Sequence, residues 1–108
     1  MAPGFALQRE AVVLSCNGAV TLAHQADGNV VLYWGGTALW STNTSGASTA
    51  NFVMQPDGNL VLYDPSGIPL WHSATGGYPG AWAAVQDDCN FVIYYSSSAI
   101  WATGTWCH

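Results

Sequence analysis

The sequence predicts an all-β chain of three similar antiparallel sheets, about four short strands each, packed around a pseudo-threefold axis. Three observations lead there. A nine-residue motif occurs three times, at offsets of 30 and 31 residues. Apolar and polar side chains alternate with a period of two through every copy, the mark of strands with one buried face. Each copy then runs through a polar loop to an apolar residue followed by Trp. No stretch carries a 3.6-residue period with helix caps.

Roughly the first 15 residues lie outside the repeat. The first unit opens with Val20-Thr-Leu22-Ala, passes through Gln25-Ala-Asp-Gly-Asn-Val-Val-Leu-Tyr33 and closes on Leu39-Trp40. The second opens with Phe52-Val-Met54, continues through Gln55-Pro-Asp-Gly-Asn-Leu-Val-Leu-Tyr63 and closes on Leu70-Trp71. The third contains Gln86-Asp-Asp-Cys-Asn-Phe-Val-Ile-Tyr94 and closes on Ile100-Trp101. Asp27-Gly28, Gly35-Gly36, Pro56-Asp-Gly58 and Pro65-Ser-Gly67 are turn signals that divide the units into short strands. A Thr follows each Trp by four residues, at Thr44, Thr75 and Thr105. One such sheet cannot bury its apolar face alone, whereas three around an axis can. Trp40, Trp71 and Trp101 are therefore assigned to core packing at the axis rather than to ligand stacking. Trp34, Trp82 and Trp106 have no counterpart in the repeat and are candidates for an exposed patch. A single domain over residues 1–108, with motifs at 25–33, 55–63 and 86–94, is the expected organisation.

Composition narrows the function. Half of the 108 residues are hydrophobic, and only 6% are charged, against about 25% in an ordinary soluble domain. One Arg and no Lys against six acids give a net charge of −5, so nucleic acid is excluded as a partner, as is an anionic membrane face. No apolar run approaches the roughly 18 residues that would span a bilayer, so no membrane insertion is expected. The six Trp argue against disorder. The start, Met-Ala-Pro-Gly-Phe-Ala-Leu-Gln, lacks a basic region followed by an apolar block. No signal peptide is expected in this chain, and its compartment stays open with secretion favoured.

Five positions are identical in the three copies, following the rule Gln-x-Asp-x-Asn-x-Val-x-Tyr. In extended chain that spacing places them on one face of the sheet, with a bend at the Asp-Gly step reshaping the row. The row offers an amide, a carboxylate, a second amide and a phenol beside a Val methyl pair. A carboxylate only accepts hydrogen bonds, the amides donate and accept, and the phenol does either. Neighbouring hydroxyls on a sugar ring need this mixture, and a ring C–H face suits the Val. Asp-Gly-Asn alone would read as turn chemistry. Turn requirements do not explain why Gln and Tyr return at fixed distance, and the third copy keeps them although it has Asp88-Cys89 where the others have Asp-Gly.

The triplicate motif, each copy followed by an apolar residue, Trp and a later Thr, resembles the bulb-type mannose-binding lectins of monocot plants, the snowdrop-lectin family. The resemblance covers about Leu7 to Thr105. It implies a β-prism II fold, three four-stranded sheets around a threefold axis with Trp inside, and one mannose pocket per motif. In each pocket Asp and Asn would bond the axial O2 of mannose, Gln O3 and the Tyr hydroxyl O4, with Val packed on the ring carbons. The first pocket would be Gln25, Asp27, Asn29, Val31 and Tyr33. The second would be Gln55, Asp57, Asn59, Val61 and Tyr63, and the third Gln86, Asp88, Asn90, Val92 and Tyr94. The implied ligands are mannose-rich glycans or glycoproteins, bound without calcium or any cofactor and with avidity from several pockets. Members often dimerise by exchanging the C-terminal strand, here Ile100 to Trp106, so a homodimer is admitted. The resemblance favours a Cys89–Cys107 disulfide. Cys16–Cys107 is the alternative, because it would close the seam between the first and last units, and either leaves one of the three cysteines over.

Other readings are weaker. A glycosidase needs two carboxyls about 5–10 Å apart across one sugar, yet the motif acids sit in separate repeats, and adjacent Asp87 and Asp88 would face opposite sides of a strand. No Gly-x-Ser-x-Gly, His-Glu-x-x-His or phosphate loop occurs, so no enzyme is expected. His24, His72 and His108 with Cys107 lack zinc-ligand spacing, and the acids, Glu10 and Asp64 included, do not cluster for calcium. His24 occupies the phase held by Met54 and Val85 and is read as a buried or half-buried structural residue rather than a ligand. A protein-binding or toxin-like, bacteriocin-type module on the same scaffold is the alternative function. Asn43-Thr44-Ser45 fits a glycosylation sequon, which matters only in a eukaryotic secretory route.

Overall fold

A computed structural model describes residues 1–107. The described residues form eleven strands: β1 (Ala6–Gln8), β2 (Val12–Leu14), β3 (Val20–His24), β4 (Val30–Trp34), β5 (Thr37–Ser41), β6 (Asn51–Met54), β7 (Leu60–Tyr63), β8 (Pro69–His72), β9 (Trp82–Val85), β10 (Phe91–Tyr95) and β11 (Ser98–Ala102). All pairings are antiparallel. They make three sheets, ordered β2-β3-β4-β5, β1-β6-β7-β8 and β9-β10-β11. Each motif spans the link between the first two strands of its repeat, and each Trp lies on the third.

The repeat therefore supplies three strands per sheet, and the segment before it supplies the rest. β2 pairs with β3 and β1 with β6. Beside β9, Met1 stands where a fourth strand would run: its ammonium donates to the Ala83 carbonyl at 2.7 Å, and the Ala83 N–H donates back to the Met1 carbonyl at 3.0 Å. The N-terminal residues thus touch all three sheets and tie them together.

The alternation read from the sequence matches the burial. Val20, Leu22, Val30, Leu32, Phe52, Met54, Leu60, Leu62, Phe91 and Ile93 are all fully buried. Each such large apolar side chain contributes about 1.5–3 kcal/mol. Trp40, Trp71 and Trp101 close the centre as a triangle of edge-to-face contacts, with centroids 5.5, 5.6 and 5.7 Å apart. Such pairs add about 0.5–1.5 kcal/mol each beyond area burial. The three indoles remain half-buried, because they sit over the Phe52 and Phe91 layer rather than within it.

The same irregularity occurs in every sheet. Register shifts between Leu32 and Tyr33, between Leu62 and Tyr63, and between Ile93 and Tyr94. The residue passed over is Leu39, Leu70 or Ile100, the apolar residue before each Trp. A bulge re-aims the side chains around it, and here it lies beside the motif Tyr while Trp keeps its inward place.

Cys89 and Cys107 form a disulfide with Cα atoms 5.2 Å apart, leaving Cys16 free and exposed. The Cys16–Cys107 alternative is thereby excluded. His24 is fully buried: its Nδ1 donates to the Leu7 carbonyl at 2.9 Å, and its Nε2 lies 2.8 Å from the Thr49 hydroxyl. β11 lies in the third sheet of its own chain.

Candidate functional site

The strands bring each set of motif residues together on the outer face of its own sheet. Gln25 follows β3, Asp27 stands in the turn, Asn29 precedes β4, and Val31 and Tyr33 lie along β4. The turn is closed by the Gly28 N–H donating to the Gln25 carbonyl at 3.1 Å and the Gln25 N–H donating to the Asn29 carbonyl at 2.8 Å. The second copy forms the same turn at 3.0 and 2.9 Å, and the third at 3.1 and 2.9 Å. Gly28 and Gly58 adopt φ of +94° and +96°, and Cys89 takes φ +74° at the same place. The third copy therefore makes the glycine-type turn without a glycine, its left-handed residue held by the disulfide to Cys107.

Inside each set, part of the hydrogen-bonding capacity is consumed locally. The Asp Oδ1 accepts the Asn backbone N–H at 2.9 Å in the first two copies and 3.0 Å in the third. The Asn Oδ1 accepts from the segment just past the third strand of its repeat. For Asn29 the donors are the Thr42 hydroxyl at 3.2 Å and the Thr44 N–H at 3.1 Å. For Asn59 they are the Ser73 hydroxyl at 3.3 Å and the Thr75 N–H at 3.2 Å. For Asn90 they are the Thr103 hydroxyl and the Gly104 N–H, both at 3.1 Å, and the Thr105 N–H at 3.4 Å. The Gln side-chain amide donates to the Tyr hydroxyl in all three pairs, Gln25–Tyr33, Gln55–Tyr63 and Gln86–Tyr94.

What remains is the same each time: the second Asp oxygen, the Asn amide N–H groups, the Gln carbonyl with one N–H, and the Tyr hydroxyl proton. In the first copy the Ser45 hydroxyl also reaches the second Asp27 oxygen, at 3.4 Å. Val31, Val61 and Val92 line the floor of each set, 4%, 3% and 3% exposed, so only a small apolar contact is offered. No enclosed cavity occurs among the described residues, and each set lies on the open surface of its sheet.

The hydroxyl pairs were the part the motif did not announce. Thr44, Thr75 and Thr105 stand out as a repeat, but their partners Thr42, Ser73 and Thr103, two residues past each Trp, alternate between Thr and Ser. Between the pair sits a left-handed residue, Asn43, Ala74 or Gly104, with φ of 56°, 59° and 69°. That conformation aims the first hydroxyl and the second residue's N–H at one Asn, while the second hydroxyl donates to the carbonyl of Gly28, Gly58 or Cys89; the signal was a hydroxyl on either side of a residue free to adopt it. Of the non-repeating indoles, Trp34 and Trp106 are exposed, and Trp82 stacks on Tyr94. Among the described residues no three His, Cys, Asp or Glu side chains gather as metal ligands, and His108 lies outside the described residues.

No family model matches the chain. A segment of it is 48% identical over 50 residues to a mannose-specific lectin of Galanthus nivalis, covering 45% of this chain and 32% of that protein. The chain thus spans about a third of the length of that curated relative. A solved structure of the snowdrop agglutinin in complex with methyl α-D-mannoside superposes with a TM-score of 0.82 at 39% identity, over 100% of this chain and 97% of the other. A monomeric monocot mannose-binding lectin of Gastrodia elata superposes with a TM-score of 0.88 at 33% identity, over 99% and 97%.

Proposed function

The chain belongs to the bulb-type, monocot mannose-binding lectin family, and on that premise we propose that it binds mannose and mannose-rich glycans through three equivalent pockets in one domain. The observation that carries this reading is the matching internal bonding of Gln, Asp, Asn and Tyr in all three sheets, which leaves the same types of donor and acceptor facing out. The second Asp oxygen and the Asn amide then take the axial O2 of mannose, Gln takes O3, and the Tyr hydroxyl takes O4. Val31, Val61 and Val92 meet the ring carbons.

The internal bonds are what make such small pockets selective. The Asp, Asn, Gln and Tyr side chains are already fixed by partners within the sheet, so little freedom is lost on binding. An epimer with equatorial O2 would leave an acceptor and a donor unpaired, which hydrogen-bonding sites penalise strongly. Each new hydrogen bond replaces water and is worth about 0.5–1.5 kcal/mol. One monosaccharide on so open a surface should therefore bind at about the millimolar level. Useful affinity comes from clustered or branched glycans engaging several pockets at once.

The Asp carboxylate is oriented by a backbone N–H, so the reading needs no calcium, and equilibrium binding needs no catalytic residue. Retention on immobilised mannose in the presence of a chelator, with elution by methyl α-mannoside but not by galactose, is the expected result. Loss of retention in chelator would contradict the calcium-free reading, and elution by galactose would contradict the mannose assignment.

A further inference from the structure

The three pockets differ at the rim position across from the motif Tyr. On the outer face, the residue directly across from the motif Tyr is Thr21 for Tyr33, Asn51 for Tyr63 and Trp82 for Tyr94. Thr21 and Asn51 are also flanked by a further strand, through Leu14 and Gln8. Trp82 stands on β9, where the described residues of the neighbouring segment reach only Ala83, through Met1. Its indole lies 4.9 Å from the Tyr94 ring at an interplanar angle of 27°, and 40% of the residue stays exposed.

A tryptophan held flat by one neighbour, and open to solvent otherwise, is a pre-ordered apolar platform. The stack fixes its orientation, so a ligand ring that covers the remaining surface gains burial without having to order the indole first. Its position relative to the pocket selects the ligand. Trp82 adjoins Tyr94, and on the pocket reading Tyr94 holds O4. In a pyranose C1 lies across the ring from C4, while C6 branches from C5, next to C4. A group attached through O1 is therefore carried away from Trp82, whereas a group attached through O6 is carried toward it.

We propose that Trp82 makes the third pocket an extended site for a mannose that carries a second sugar on its O6, the indole stacking against the C–H face of that second ring. The proposal rests on the mannose-pocket reading above. The other two pockets, with Thr21 and Asn51 at this place, take the single mannose alone. One of the three pockets thereby reads a linkage.

The test uses the full chain with the first two pockets disabled by Tyr33→Phe and Tyr63→Phe. Methyl α-mannoside and the 1,6-linked and 1,2-linked α-mannobiosides are titrated by calorimetry into this protein and into its Trp82→Thr and Trp82→Phe derivatives. The 1,6-linked disaccharide is expected to bind about three- to tenfold more tightly than the 1,2-linked one. That ratio should fall to about one with Trp82→Thr, the residue type found at the first pocket, and be largely retained with Trp82→Phe, which keeps a ring. Equal affinities for the two disaccharides before Trp82 is changed, or a preference that survives Trp82→Thr, overturns the inference while leaving the pocket reading intact. Absence of binding by methyl α-mannoside overturns the pocket reading and this inference with it.

Discussion

The side-chain oxygen of Asn59 accepts the backbone N–H of Thr75 at 3.2 Å, joining the recognition motif to the strand end that carries the central Trp71. The same oxygen takes the Ser73 hydroxyl, so its structural capacity is filled while its amide N–H groups stay available. One residue thus serves the fold through its oxygen and, on the proposed reading, the pocket through its nitrogen.

Separating the two atoms gives the first prediction. Asn59→Asp keeps an oxygen for Thr75 and Ser73 but removes the outward donor. It should retain a cooperative melt while eliminating mannoside binding at the second pocket. Asn59→Ala leaves those donors without their acceptor and should cost about 1–3 kcal/mol, read as a shift in the urea midpoint. Equal stability of the two variants would contradict the assignment of the oxygen to the fold.

Left-handed backbone makes two substitutions act in opposite directions. Gly58 has φ +96°, and a Cβ there would run into the Tyr78 carbonyl oxygen, so Gly58→Ala should destabilise by more than about 1 kcal/mol. Ala74 holds φ +59° with a side chain already present, and Ala74→Gly relieves that strain. It should raise the melting temperature by a few degrees, corresponding to about 1 kcal/mol or less once the added freedom of the unfolded chain is subtracted.

Burial of His24 sets a pH dependence. Loss of water around the ring holds its pKa below the ordinary 6.5, opposed by the bond to the Leu7 carbonyl and reinforced by the Arg9 charge. The unfolded chain therefore takes up a proton that the folded one refuses until lower pH. The stability that His24 contributes is complete above pH 6.5 and is lost as pH falls through the window beneath it. Met1, whose ammonium is lowered by burial from 8.0, adds a slope of the same sign that begins at higher pH. His24→Met, after the residue type at the equivalent position 54, should flatten the decline between about pH 7 and about pH 5 in chemical denaturation. An unchanged slope would remove His24 as its source.

The Cys89–Cys107 bridge closes a loop of 18 residues around the third pocket. Reduction should lower stability by about 3 kcal/mol on the chain-entropy account. It should also loosen Asp88 and Asn90, which flank Cys89, more than their counterparts in the other sheets. Thiol titration of the denatured, unreduced protein should find Cys16 alone.

Much of this was legible in the sequence because repetition multiplies a weak signal. Period-two alternation placed the buried faces, and the recurring apolar-Trp pair placed the central triangle. The phase shared with Met54 showed His24 to be buried. Other features left no pattern to find. β1 and β2 are three residues each, too short for a period to register, so the source of two fourth strands was not readable. The bulges at Leu39, Leu70 and Ile100 follow from pairing geometry, and the stack of Trp82 on Tyr94 needs the register of β9 against β10. Cys89 in a left-handed turn depended on a disulfide partner that spacing alone could not select.

The central claim is that three separate pockets each hold one mannose. Titration of methyl α-mannoside, followed by NMR of the Asn and Gln side-chain amides, tests it most directly. The account predicts that Asn29, Asn59 and Asn90 all shift, and that Asn59→Asp abolishes the response at the second pocket while the first and third keep theirs. Shifts confined to other surfaces, or an Asn59→Asp protein that still takes the sugar at the second pocket, would contradict it.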